Sequence, residues 1–319
     1  MSEIQSHSLQ NAGVPRGFTS LSRSLSTARA ARRGMSFAVA LAIGIASAPA
    51  AAQTSPPSEP VDRFTHDLSL DLPATFIAGS LWLGTQLLQV QIAPKDCHWC
   101  DRNADGSDAL NGFDRGARDA LVWTDTALAN GISDGLGYVV SPGASLGVLA
   151  LAASFDGRLE ESSANSLVVV ESAFVAGIIA QVFKFTVGRE RPFVHVLSAV
   201  EKTRTWKPRD NNVSFFSAHA NFAFALAVSS GTIASLRGYR GAPWVWGSGL
   251  VLASTIGYLR VAADKHYMSD VLVGASVGSL VGFAVPFFFH RKSAASEPTK
   301  MAPSAISAGT SHVSFTWQF

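Results

Sequence analysis

The chain has 319 residues, 47% of them hydrophobic and only 15% charged, with a formal net charge of +2 and a mean hydropathy of +0.22. This leaves ample apolar sequence for a sizeable core and lies between a soluble protein and a multi-span membrane protein. The near-neutral balance, with no basic tract outside the leader and the candidate site, argues against a nucleic-acid partner.

Residues 1 to about 34 are rich in Ser and Arg and poor in acids, ending Arg29-Ala-Ala-Arg32-Arg33. An apolar run from Met35 to Ala46 and the small-residue stretch Ser47 to Gln53 follow. The pattern is that of a secretory signal peptide over 1–52, cut near Ala52, since about a dozen apolar residues are short for an anchor. Residues 53–70 read as a linker, and residues 71–290 as one helical domain.

Six nearly uncharged stretches follow: Leu72 to Ala93, Gly135 to Phe155, Leu167 to Phe183, Ala220 to Leu236, Gly241 to Leu259 and Val271 to Phe289. Their lengths suit helices rather than strands, and small residues such as Gly274-Ala-Ser-Val-Gly278 favour close helix packing. The expected fold class is therefore all-α, a bundle of about six apolar helices with the site at the helix ends. Four of the stretches reach or approach the length needed to cross a bilayer. Leu72 to Ala93, with Thr85, Gln86, Gln89 and Gln91, is the weakest candidate. If all six cross after a cleaved leader, the site faces the cytoplasm. An outward-facing site on a membrane-associated envelope protein, the expectation adopted, requires that one of them does not cross, or that the bundle is a periplasmic one whose helices are apolar because they are buried.

Between the first two stretches, Lys95 to Asp134 is polar and holds both cysteines as Cys97-His-Trp-Cys100, a local disulfide in an exported protein. Asp101-Arg-Asn103-Ala-Asp105-Gly106 starts like a calcium loop, but its twelfth position is Gly112 rather than a bidentate Glu, so an Asx-rich turn is expected. Glu201 to Asn212 is charged and turn-rich. Its Lys202, Arg204, Lys207 and Arg209 could form an anion-attracting rim, although a solvated loop is the simpler expectation. Beyond Arg291 the chain becomes rich in Ser, Ala and Pro. It closes on the alternating Val313-Ser-Phe315-Thr-Trp317-Gln-Phe319, a short strand or hairpin pattern within a flexible 291–319 tail.

Three polar islands stand in the apolar sequence between Lys184 and Asp270. They are Lys184-Phe-Thr-Val-Gly-Arg-Glu-Arg191-Pro192, Ser214-Phe-Phe-Ser217-Ala218-His219 and Arg260-Val-Ala-Ala-Asp-Lys-His266-Tyr-Met-Ser-Asp270. They supply cations, a hydroxyl, two imidazoles and a carboxylate. A phosphoryl group with charge on three equatorial oxygens needs such a set. Lys184 and Arg191 are about two helical turns apart, with Gly188 between them as a helix stop. His266 and Asp270, four apart, share a helix face, so the carboxylate can accept a hydrogen bond from one ring nitrogen and leave the other unprotonated.

In order and spacing the islands resemble the tripartite signature of the type 2 phosphatidic acid phosphatase and vanadium haloperoxidase superfamily. Its elements here read Lys184-x6-Arg191-Pro192, Phe216-Ser217-Ala218-His219 and Leu259-Arg260-x5-His266-x3-Asp270. Phe216 and Leu259 stand where that signature has proline and serine, and Ala218 stands where it has glycine. An alanine N–H donates equally well at negative φ, whereas positive φ would strain it.

The resemblance implies that His266 attacks phosphorus, Asp270 orients it and His219 protonates the leaving oxygen. Lys184, Arg191, Ser217, Ala218 and Arg260 would bind the phosphate oxygens. It further implies a metal-independent phosphatase acting on a phosphomonoester or pyrophosphate, with a phosphorylated lipid or small phosphoester as partner, membrane association and no cofactor. Two alternatives share the cage: a vanadate-dependent haloperoxidase, with vanadate as its cofactor, and an inactive phosphate-lipid binding protein.

Overall fold

The computed structural model describes residues 63–292 and the backbone of 305–308 and 313–316. The predicted signal peptide and cleavage point lie outside the described residues.

The bundle is built from α1 (Leu68–Leu87), α4 (Thr126–Gly135) running through a π turn into α5 (Ser141–Phe155), α6 (Ser162–Val187), α9 (Ala218–Arg237), α10 (Ala242–Ala262) and α11 (Met268–Ala284), the last continuing through a π turn to Phe289. Shorter helices sit in the connections: α2 (Gln89–Ile92), α3 (Gly112–Leu121), α7 (Pro192–His195) and α8 (Ala199–Thr203). All six predicted apolar stretches are helical. The polar segment from Lys95 to Asp134 also carries helix: α3 and most of α4, begun by the side chains of Asn111 and Asp125, which accept from Asp114 N and Leu128 N. Two short strands, Ala305–Ala308 and Val313–Thr316, pair antiparallel, so the predicted terminal strand has a partner just upstream.

Residues 63–70, read from sequence as linker, are instead part of the domain. Phe64 is 1% exposed and lies in the main core cluster with Leu149, Val168, Leu226 and Ile233. Asp67 caps α1, and Arg63 N donates to Leu236 O. Thr65 N donates to His290 O and Lys292 N to Arg63 O, so the two ends of the domain are joined. One buried aromatic in a Pro- and Ser-rich stretch gives too weak a periodic signal to mark a fold boundary.

The long helices alternate in direction. α1, α6 and α10 end at one pole, where Gln86, Lys184 and Arg260 line a common cavity, while α4, α9 and α11 begin there. α9 runs through the middle, buried along most of its length, and packs against α5, α6, α10 and α11. Its small residues permit this. On α11, Gly274, Gly278 and Gly282 recur every fourth residue against the α9 backbone, and a β-carbon at Gly278 would lie 2.1 Å from Asn221 O. This contact fixes the start of α11 beside the start of α9, so it sets the geometry of the site. Gly278→Ala is expected to destabilise the protein by about 1–3 kcal/mol through overpacking, measured as a lower midpoint in thermal unfolding. The unpacked control Gly247→Ala, where a β-carbon meets nothing within 4 Å, is expected to lack this loss.

Among the described residues, four helical segments are long and apolar enough to cross a membrane: Thr126–Phe155, Leu159–Val187, Ala242–Ala262 and Met268–Phe289. α1 and α9 fall outside that set. Exposed apolar side chains on the bundle exterior, among them Phe76, Val139, Val251, Leu280 and Phe289, fit a membrane-associated protein better than one wholly surrounded by water.

Candidate active site

The cavity at the pole where the helices converge has a volume of about 650 Å³. Its lining includes Lys184, Arg191, Ala218, His219, Arg260 and His266, six of the eight residues singled out in the sequence, together with Asn130, Asp134, Tyr138, Asp210 and Lys265. Ser217 and Asp270 are completely buried and stand outside that lining.

Each side chain is placed by a local device. Lys184 lies in the last turn of α6, which Gly188 ends at φ +57°, the left-handed conformation that glycine adopts without strain. Arg191 precedes Pro192, the first residue of α7, so its backbone is extended and its side chain leaves the helix. Ser217 is the N-cap of α9, its hydroxyl accepting from Ala220 N, and Ala218 is the first helical residue. The described non-glycine residues with positive φ are Asp101 and Asp264. Ala218 is therefore unstrained, and the alanine-for-glycine difference carries no conformational penalty. The turn holding Arg260 and His266 is pinned by Arg118, whose Nε and Nη2 donate to both carboxylate oxygens of Asp264 at 2.7 and 2.6 Å.

His266 is 2% exposed. Its Nδ1 lies 2.7 Å from Ser214 O, and because a carbonyl oxygen only accepts, Nδ1 carries the proton and Nε2 does not. Burial, followed by the positive charges of Arg191, Arg260 and Lys184, holds the proton affinity of this imidazole well below its usual range. The predicted direct bond from Asp270 to the imidazole is not made. Their nearest atoms are 3.8 Å apart, and Asp270 instead accepts from Ser214 Oγ at 2.6 Å, Arg189 Nη1 at 2.7 Å and Tyr267 N at 3.0 Å. Asp270 thus acts on His266 through Ser214 and the backbone. Likewise, the Ser217 hydroxyl is engaged in capping rather than facing the cavity.

The cations differ in their partners. Arg260 Nη1 donates to Asn130 Oδ1, Ser133 Oγ and Asp134 Oδ1, while its Nε is buried without a protein acceptor. Arg191 donates to the backbone oxygens of Asp210 and Lys265 and pairs with the Asp210 carboxylate at 3.1 Å. Lys184 has no carboxylate within 4 Å among the described residues. His219 Nε2 is 2.9 Å from Asp134 Oδ1, so the same carboxylate joins His219 to Arg260.

Arg189, not singled out in the sequence, is fully buried behind this array. Its Nε, Nη2 and Nη1 donate to Asp101, Asp114 and Asp270 at 2.9, 2.9 and 2.7 Å. Its guanidinium lies over the rings of Trp99 and Tyr267 at 4.2 and 4.1 Å. Burial alone would raise the pKa of Asp114, but hydrogen bonds from Ser269, Asn111 and Arg189 hold that carboxyl below its usual range. Nothing in the sequence distinguishes this framework arginine from Arg191 two residues on, apart from the signature spacing.

The flanking segments resolve similarly. Asp101 is engaged with Arg189, and Asp105 accepts from Ser107 N and Oγ in an Asx turn. Cys97 and Cys100 form a disulfide. Of the predicted basic rim, Lys207 and Arg209 line the cavity, whereas Lys202 is paired with buried Glu190.

Residues 165–294 match the PAP2 superfamily. The chain is 29% identical over 117 residues to the undecaprenyl-diphosphatase of Sulfolobus acidocaldarius, covering 37% of this chain and 52% of that protein. It is 41% identical over 69 residues to the lipid A 1-phosphatase of Porphyromonas gingivalis, covering 22% of this chain and 15% of that one. The chain thus spans about half, or less, of the curated relatives it matches. A transmembrane PAP2-type phosphatidylglycerolphosphate phosphatase from Bacillus subtilis aligns with a TM-score of 0.42 at 19% identity, over 66% of this chain and 94% of that one. The three polar islands all fall inside the segment that matches the PAP2 superfamily.

Proposed function

We propose that this protein is a metal-independent phosphatase that hydrolyses a lipid phosphate through a phosphohistidine on His266. What carries this reading is a neutral, buried imidazole in a cavity whose walls hold Lys184, Arg191 and Arg260. With Nδ1–H bound to Ser214 O, the unprotonated Nε2 is the nucleophile. It forms a bond to phosphorus as the bond to the leaving oxygen breaks, and His219 gives that oxygen a proton. Asp134, at 2.9 Å, orients His219. The three cations and the N–H of Ala218 stabilise charge on the equatorial oxygens. Water, deprotonated by His219, then cleaves the phosphorus–nitrogen bond and releases orthophosphate. No step uses a metal or cofactor.

The lipid class is supported by apolar helices around the site and by the similarity to an undecaprenyl-diphosphatase and a lipid A 1-phosphatase. An outward-facing site is supported by the disulfide at the cavity pole, since disulfides persist in oxidising compartments.

The test is phosphate release from phosphatidic acid and from a polyprenyl diphosphate by the full chain in detergent with EDTA present. Turnover that survives EDTA is expected. Absence of turnover on both lipids, or its loss on adding EDTA, would remove the proposal.

A further inference from the structure

Lys265 occupies the position before His266, one that the signature leaves open. Its side chain lines the same cavity as Lys184, Arg191 and Arg260. Its ammonium lies 4.3 Å from the centroid of the Phe193 ring, which also lines the cavity. Among the described residues no carboxylate lies within 4 Å of that ammonium, whereas Arg260 is paired with Asp134 and Arg191 with Asp210. An aromatic face holds a cation in place without using its N–H donors, which stay available to a ligand. The backbone oxygen of Lys265 meanwhile accepts from Arg191 Nη1 at 3.0 Å, tying the residue to the cage.

A transferred phosphoryl has three equatorial oxygens, and Lys184, Arg191, Arg260 and the Ala218 N–H already supply donors for them. Lys265 is therefore surplus to the needs of one phosphate. Lys207 and Arg209 extend positive charge along the same cavity, whose volume of about 650 Å³ far exceeds a single phosphoryl group.

We propose that Lys265, on its Phe193 platform, binds a second anionic group next to the transferred phosphoryl, and that the preferred substrates are diphosphate esters. This rests on the phosphatase reading and narrows it. His266 bonds to the terminal phosphorus, and the bond from that phosphorus to the bridging oxygen breaks. The leaving monophosphate ester takes a proton from His219 on that oxygen, and Lys265 neutralises its remaining charge. Water then releases the terminal phosphate from His266.

The experiment compares wild type, Lys265→Met and Lys265→Arg as full chains in detergent with EDTA. Calorimetric titration with inorganic pyrophosphate and with orthophosphate gives the binding preference. Turnover of farnesyl diphosphate and farnesyl monophosphate gives the ratio of kcat/KM. Wild type is expected to prefer the diphosphate in both arms. Loss of one charged contact should cut that preference by about 10- to 100-fold in Lys265→Met, with most of it kept in Lys265→Arg. The proposal is overturned if wild type shows no preference, if Lys265→Met weakens both ligands equally, or if the arginine variant loses the preference as fully as methionine does. Should wild type turn over neither ester, the phosphatase reading fails, while the pyrophosphate titration still decides whether Lys265 selects a second anion.

Discussion

Arg189→Met is expected to destabilise the protein by about 3–5 kcal/mol, the cost of removing one partner from a buried ion cluster. Asp114 and Asp270 have fully buried side chains and Asp101 is nearly buried, and all three direct an oxygen at this guanidinium. Without it, three carboxylates share a desolvated site with no cation among them. Arg189→Lys should rescue little, because one ammonium cannot replace a planar fork whose Nε, Nη1 and Nη2 each address a different residue. A loss of this size is a large part of the 5–15 kcal/mol that holds a typical domain together. Denaturation of the purified protein in detergent measures it. A loss below about 1 kcal/mol would mean that the cluster is no stronger than a surface ion pair.

His266→Ala is expected to lower kcat by about four orders of magnitude or more, as removal of a covalent nucleophile does elsewhere, with the unfolding midpoint little changed. The wild-type protein, quenched during turnover of a labelled phosphate ester, should carry an acid-labile, alkali-stable phosphate that is missing from the variant. Residual turnover within about tenfold of wild type would exclude His266 as nucleophile. The same residue sets the direction of a pH effect. Because burial and the neighbouring Arg191, Arg260 and Lys184 depress its proton affinity, the ring becomes protonated only at pH values below the ordinary imidazole pKa of about 6.5. The acid limb of kcat/KM should therefore fall below pH 6.5, and an acid limb above that value would contradict the environment described for His266.

The sequence was most legible where one strong physical signal acted alone. The apolar stretches became helices because their length and lack of charge admit no other way of satisfying the backbone in an apolar setting. Gly188 ended α6 because a left-handed residue was needed there. The spacing of the three islands brought six of the eight singled-out residues to one cavity. What could not be read depended on partners distant along the chain or on groups common to every residue. The ligands of Arg189 lie 75 to 88 positions away. The acceptor for His266 is a backbone oxygen, which no residue type advertises. His266 lies in the bend before α11 and does not share a helix face with Asp270 as the spacing predicts, and Arg189 and Ser214 take up the Asp270 oxygens through short charge-assisted bonds in place of the imidazole. Ser217 shows the same limit, since a hydroxyl before a helix suits a cap as well as a phosphate, and only the fold decides.

The closure of the domain on itself at residues 63–65 and 290–292 has an engineering consequence. Residues 63 and 292 are one hydrogen bond apart, Lys292 N to Arg63 O at 2.7 Å, at the pole away from the candidate cavity. The unit can therefore be grafted as a cassette into a surface loop of another membrane-associated protein, or permuted by linking residue 292 to residue 63, without either new junction passing near the candidate site.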